Sequence, residues 1–70
     1  MLNNYPDNNS FMIHIADEMK SLYNSHTSKE DKIFLLDDIY INKISAWNFT
    51  DEQLSYLNDV YDRYMKELLS

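Results

Sequence analysis

Glycine and cysteine are both missing from the seventy residues of this chain. Phosphate-cradling loops and dinucleotide fingerprints need glycine where backbone must approach a ligand closely, so nucleotide-dependent chemistry of the familiar kinds is excluded. Without cysteine neither a disulfide framework nor a thiolate zinc site can form, which points to a reducing, intracellular setting. Proline occurs once, as Pro6, ahead of the first helical pattern. Long apolar stretches are also lacking: the longest is Ile33 to Leu36, and Met1 to Pro6 carries no basic lead. A signal core or a membrane span needs far more, so the chain reads as a soluble cytoplasmic protein with no membrane contact. Positive charge is the last shortage. Six Lys and Arg stand against twelve Asp and Glu, a net charge of −6. Such a surface repels a nucleic-acid backbone and attracts basic surfaces over a Debye length of about 8 Å, so direct nucleic-acid binding is not expected and a basic protein surface is.

What is present is enough for a core. Hydrophobic residues make up 44% of the chain and are spread along it, unlike the composition of a disordered segment. A chain of this length forms one domain, 1–70, which buries only roughly 60% of its unfolded surface. No strand alternation, internal repeat or low-complexity tract appears.

Periodicity and caps predict three helices. Met12, Ile15, Ala16, Met19, Leu22 and Tyr23 recur at three- and four-residue spacing after a polar head, giving a helix over about 10–23 that Asn24 ends by standing in for a left-handed C-cap glycine. Thr27 with Glu30 has capping-box spacing, and Ser28 with Asp31 offers a start shifted by one residue. The helix that follows, about 28–46, carries the stripe Ile33, Leu36, Tyr40, Ile44 and Trp47. Leu35 and Ile39 widen it on one side and Phe34 and Ile41 on the other, so it reads as apolar nearly all round and central. Thr50 with Gln53 forms the clearest capping box, with Phe49 and Leu54 at staple positions. It opens a helix over about 51–69 with Leu54, Leu57, Tyr61, Tyr64, Met65 and Leu68 inward. Asp59 with Arg63 and Asp62 with Lys66 stand at i,i+4 outside. The fold class is all-α: a small antiparallel three-helix bundle, or alternatively a helical hairpin completed by dimerisation.

Catalytic constellations are not found. His14 and Glu18 share a face away from the apolar stripe and read as a solvated pair; two ligands do not make a catalytic metal site. The serines lack a glycine-flanked turn, and adjacent acidic residues diverge by about 100° on a helix. No enzyme activity, metal or cofactor is therefore expected.

Binding candidates are of two kinds. Asp51 and Asp62 lie along one flank of the third helix with Ser55 and Asn58 between them, and Glu52 and Asp59 line the adjacent face. Asp37 projects among apolar positions, either as a rim carboxylate reaching water or a lysine or as a contact to a basic partner residue; Asp38 is beside it. Tyr5 and Tyr56 are candidate exposed aromatic anchors. Phe34 and Ile41, at i,i+7, form an apolar patch unless Tyr5 or Leu2 covers it.

The whole chain, by its shortness, acidity and helical character, resembles the small phage-encoded inhibitors of bacterial defence, anti-CRISPR proteins among them. The run from Phe49 to Leu54, continued through Tyr61, Asp62, Arg63 and Tyr64, is similar to the helix-opening phrase of many small phage and replication-associated proteins. The resemblance implies carboxylates placed where a DNA backbone would lie on the target. Two functions are carried forward. One is an inhibitor whose acidic surface occupies a basic nucleic-acid-binding site on a host complex such as a CRISPR effector. The other is a structural or regulatory interaction protein, a homodimer or a subunit, that uses its apolar helix face.

Overall fold

A computed structural model describes residues 7–70 and shows three helices. Helix α1 spans Asn8–Tyr23 and α2 spans Lys29–Ile39, continued directly by a π-helical turn at Tyr40–Ile44; α3 spans Asp51–Leu69. Every pair of these helices packs together. Between α1 and α3, Asn9 meets Gln53 near one end and Tyr23 meets Tyr64 near the other, so these two run parallel. Glu18 meets Lys43, whereas the later Tyr23 carbonyl meets the earlier Lys32, so α2 runs opposite to α1 and hence to α3. The antiparallel three-helix bundle is therefore the fold. A single chain closes its own core, and the hairpin alternative is set aside.

Side chains set the helix ends. Asp7 caps α1 by accepting from the Ser10 N–H at 2.8 Å, so the helix begins at Asn8 rather than Ser10. At its far end Asn24 is not left-handed, with φ −87° and ψ 1°. Ser25 finishes the helix instead, donating its N–H (3.1 Å) and its hydroxyl (2.7 Å) to the Leu22 carbonyl that the last turn would leave unpaired. The start of α2 is at Ser28, whose hydroxyl oxygen accepts from the Asp31 N–H at 3.2 Å, and not at Thr27. The reciprocal box at α3 forms as expected: the Gln53 N–H donates to Thr50 at 3.2 Å and the Thr50 N–H donates to the Gln53 side chain at 2.9 Å. Phe49 is buried beside it and Leu54 packs against the core.

The π turn is the one element with no sequence expectation behind it. Ser45 N–H donates to the Tyr40 carbonyl at 2.8 Å, five residues back, and the expected continuous α-helix to residue 46 ends at Ile44. A turn closed over an extra residue advances less per residue, so the side chains that follow are rotated relative to an α-helix. Ile44 is fully enclosed, and Lys43 reaches α1.

Ile15, Met19, Leu36, Ile44 and Leu57 are fully enclosed, and Ile39, Phe49, Val60 and Leu68 complete the core. Val60 joins it from outside the expected stripe of α3. An aromatic cluster closes one end: Phe11 meets Trp47 edge-on at 4.6 Å and stacks on Phe49 at 5.8 Å. The Trp47 Nε1–H donates to Asn8 Oδ1 at 3.0 Å, and Asn8 Nδ2 donates onward to the Asn48 carbonyl at 2.9 Å. These bonds tie the start of α1 to the loop before α3.

One expectation is corrected by the packing. The middle helix is not buried all round: Leu36, Ile39 and Ile44 are enclosed, but Phe34, Leu35 and Ile41 are exposed. With only two neighbours, a helix in a three-helix bundle has an outer side that nothing covers.

Candidate functional site

The surface to be explained is set by how the bundle turns each helix. On α3 the inward line is fixed by Leu57 and Leu68, and Tyr61 lies just to the α2 side of it. Its ring meets Tyr40 at 4.7 Å, and its hydroxyl donates to Asp37 Oδ1. Steps of about 100° per residue then place Asp62, Asn58 and Asp51 on the same flank. On α2, Asp37 lies between Phe34 and Ile41, at i−3 and i+4. The bundle thus brings the acidic flank of α3 and the apolar patch of α2 to one face along their seam.

The other predicted residues are distributed elsewhere. Glu52 and Asp59 are exposed on the outer side of α3. Tyr56 is 47% exposed but belongs to the flank of α3 that turns toward α1. Asp38, at i+4 from Phe34, stands at the far border of the α2 patch, where with Glu18, Leu22, Leu35, Ile39 and Lys43 it also lines an open groove of about 280 Å³ toward α1. Its carboxylate accepts from Asn42 Nδ2 at 2.6 Å. Tyr5, and the covering of Phe34 and Ile41 by Tyr5 or Leu2, lie outside the described residues.

Charged side chains of both signs divide into those with partners in the fold and those left exposed. Lys43 pairs with both oxygens of Glu18, at 2.7 and 3.0 Å, which corrects the reading of Glu18 as half of a solvated pair with His14. His14 rests against the Phe11 ring, with centroids 6.5 Å apart. Lys32 donates to the Tyr23 carbonyl at 2.7 Å and lies over the Tyr23 ring. Two of the six cations therefore have partners in the fold, while Lys20, Lys29, Arg63 and Lys66 are exposed. Asp51, Glu52, Asp59 and Asp62 are likewise all exposed, and among the described residues none has a cation within 4 Å. The expected i,i+4 partners Arg63 and Lys66 share a shallow surface with Asp59 and Asp62 without closing a pair.

Asp37 has a partner the sequence did not announce, since its carboxylate accepts from Tyr61 rather than reaching a lysine. Burial of the Tyr61 hydroxyl, then the hydrogen bond to Asp37 and the negative charges of Asp37 and Asp62, push its pKa up to about 12. Each of these disfavours a phenolate beside existing charge. Asn58 stands on the same flank with its Oδ1 buried and without a hydrogen-bond partner. Neither Tyr61 nor Lys43 was singled out beforehand. The sequence carries no local signal for Lys43 as the partner of Glu18, and for Tyr61 none apart from its inward register.

Among the described residues no three His, Cys, Asp or Glu side chains come close enough together to hold a metal ion. No helix of the described residues is long and apolar enough to cross a membrane. Comparison with protein-family models, with curated proteins and with solved structures finds no match to this chain.

Proposed function

We propose that this is a non-catalytic binding protein whose carboxylate surface, centred on α3, occupies a basic nucleic-acid-binding site on a protein partner. The observation that carries the reading is the set of carboxylates on α3: Asp51, Glu52, Asp59 and Asp62 are all exposed and, among the described residues, none is in an ion pair. Carboxylates left open in this way suit a partner surface shaped for phosphates. A CRISPR effector is one host complex of that kind, and an inhibitor of it is the instance the chain's size and acidity favour.

The second reading, a homodimer or subunit that uses the apolar face, draws on the exposure of Phe34 and Ile41. The two make opposite statements about salt. Wild-type protein and the Asp51→Asn/Glu52→Gln/Asp59→Asn/Asp62→Asn variant are immobilised, exposed to a bacterial lysate and washed in rising salt. The carboxylate reading predicts a nucleic-acid-binding complex that elutes as salt rises and is not retained by the variant. Retention unaffected by salt or by the four substitutions contradicts it.

A further inference from the structure

Phe34 is the most exposed large apolar residue of the described chain, at 69%, and Ile41, a further seven positions along α2, is 64% exposed. Around Phe34, the four positions that neighbour it on a helical surface are all carboxylates: Glu30, Asp31, Asp37 and Asp38, at i−4, i−3, i+3 and i+4. All four are exposed. Asp37 and Asp38 are oriented by Tyr61 and Asn42, each through one oxygen. The nearest lysine on the same helix that could neutralise them, Lys32, is turned away onto the Tyr23 carbonyl.

We infer that this face of α2 is a docking surface for an arginine-bearing amphipathic helix of a partner protein, with an arginine side chain seated on the Phe34 ring. An aromatic face attracts a cation, and a guanidinium can stack on the ring while its edge reaches a carboxylate, which an ammonium does less well. Phe34 on α2 and Ile41 in the π turn that continues it are both exposed and about two turns apart, so a facing amphipathic helix can lay successive side chains of one face along them. The inference rests on the proposed basic protein partner and adds the chemistry of the contact on α2, a surface that adjoins Asp51 and Asp62 and lies apart from Glu52 and Asp59 on the outer side of α3.

The charge argues against a second copy of this chain as the occupant. Two such faces brought together would set Glu30, Asp31, Asp37 and Asp38 against their own kind. A divalent ion does not fit either, since the carboxylates surround the ring and do not converge on one point.

The test uses the full chain, labelled with 15N, and three synthetic helical peptides. One carries arginine and leucine on a single face at i, i+3, i+4 and i+7, the second has lysine for arginine, and the third has the arginine peptide's composition in scrambled order. The arginine peptide is expected to shift the amide resonances of α2 around Phe34 and Ile41. Binding is expected to weaken about threefold with lysine and about threefold with Phe34→Leu, which keeps apolar area but removes the ring. Phe34→Ala is expected to weaken it roughly tenfold. Because Phe34 is exposed, both variants retain the fold, which the same spectra report. Equal binding of the scrambled peptide, shifts confined to α3, or no effect of Phe34→Leu overturns the inference. So does a concentration-dependent dimer in sedimentation equilibrium that Phe34→Ala abolishes. Failure here leaves the salt-dependent capture through α3 intact, and failure of that capture leaves the peptide titration to be read by itself.

Discussion

The Tyr61 hydroxyl on α3 donates to the Asp37 carboxylate on α2, so the one carboxylate that projects among apolar residues is held by the neighbouring helix rather than by a lysine. The contact orients Asp37 beside Phe34 and links core packing to the surface.

This pair gives the protein an alkaline limit. Tyr61 ionises at about 12 in the folded protein, above the 10.0 of an unperturbed tyrosine. A raised folded-state pKa means that its contribution to stability is complete below pH 10 and is lost as pH climbs from there through about 12. Asp37→Asn removes the adjacent charge and should bring the Tyr61 transition down toward the ordinary value. Tyrosinate absorbance during a pH titration, compared with Tyr61→Phe to identify the band, checks this. An unchanged transition in Asp37→Asn contradicts it.

Asn8 is the hinge pin of the aromatic end, accepting from Trp47 Nε1 and donating to the Asn48 carbonyl. Asn8→Ala leaves the partly buried indole N–H without its partner, at a cost of about 1–3 kcal/mol. Urea unfolding followed by Trp47 fluorescence should show a lower midpoint and a native emission shifted to longer wavelength. The protein contains one tryptophan, so the signal reports that site alone.

The reciprocal box at Thr50 and Gln53 is expected to contribute on the order of 1 kcal/mol, and Thr50→Ala to lower the thermal midpoint by about 4–8 °C. Ser28→Ala, at a cap with a single side-chain bond and no reciprocal one, should lower it less. Circular dichroism melts of both variants decide the ranking, and the reverse order would show that α2, not α3, depends more on its cap.

The caps and the apolar spacing explain how much of this fold was legible. Thr50, Gln53, Phe49 and Leu54 form a local pattern whose geometry is complete within six residues, and α3 begins where that pattern places it. Ile15, Met19, Leu36 and Leu57 were legible for the same reason, as members of helical stripes that had to face inward. The π turn was not legible, because no residue preference within Tyr40–Ile44 encodes a bond from the Ser45 N–H to the Tyr40 carbonyl five residues back, although Ile44 itself lay in the inward stripe. The exposure of Leu35 was not legible, because a wide apolar stripe marks a central helix only where enough neighbours cover it, and this bundle has too few. At the candidate site the residues Phe34, Ile41 and Asp37 were identified from projection alone. Their meeting with the Asp62 flank of α3 depended on which side of α2 that helix packs, and Tyr61 as the partner of Asp37 depended on the same choice.

The most direct measurement is a competition on the complex recovered by capture. A fluorescently labelled nucleic-acid duplex is bound to that complex, and its anisotropy is followed as this protein is added at low and at high salt. The account predicts that the duplex is displaced at low salt, that displacement weakens as salt rises, and that the Asp51→Asn/Glu52→Gln/Asp59→Asn/Asp62→Asn variant fails to displace it. A stable ternary complex, with the duplex and this protein bound together, would contradict occupation of the nucleic-acid site.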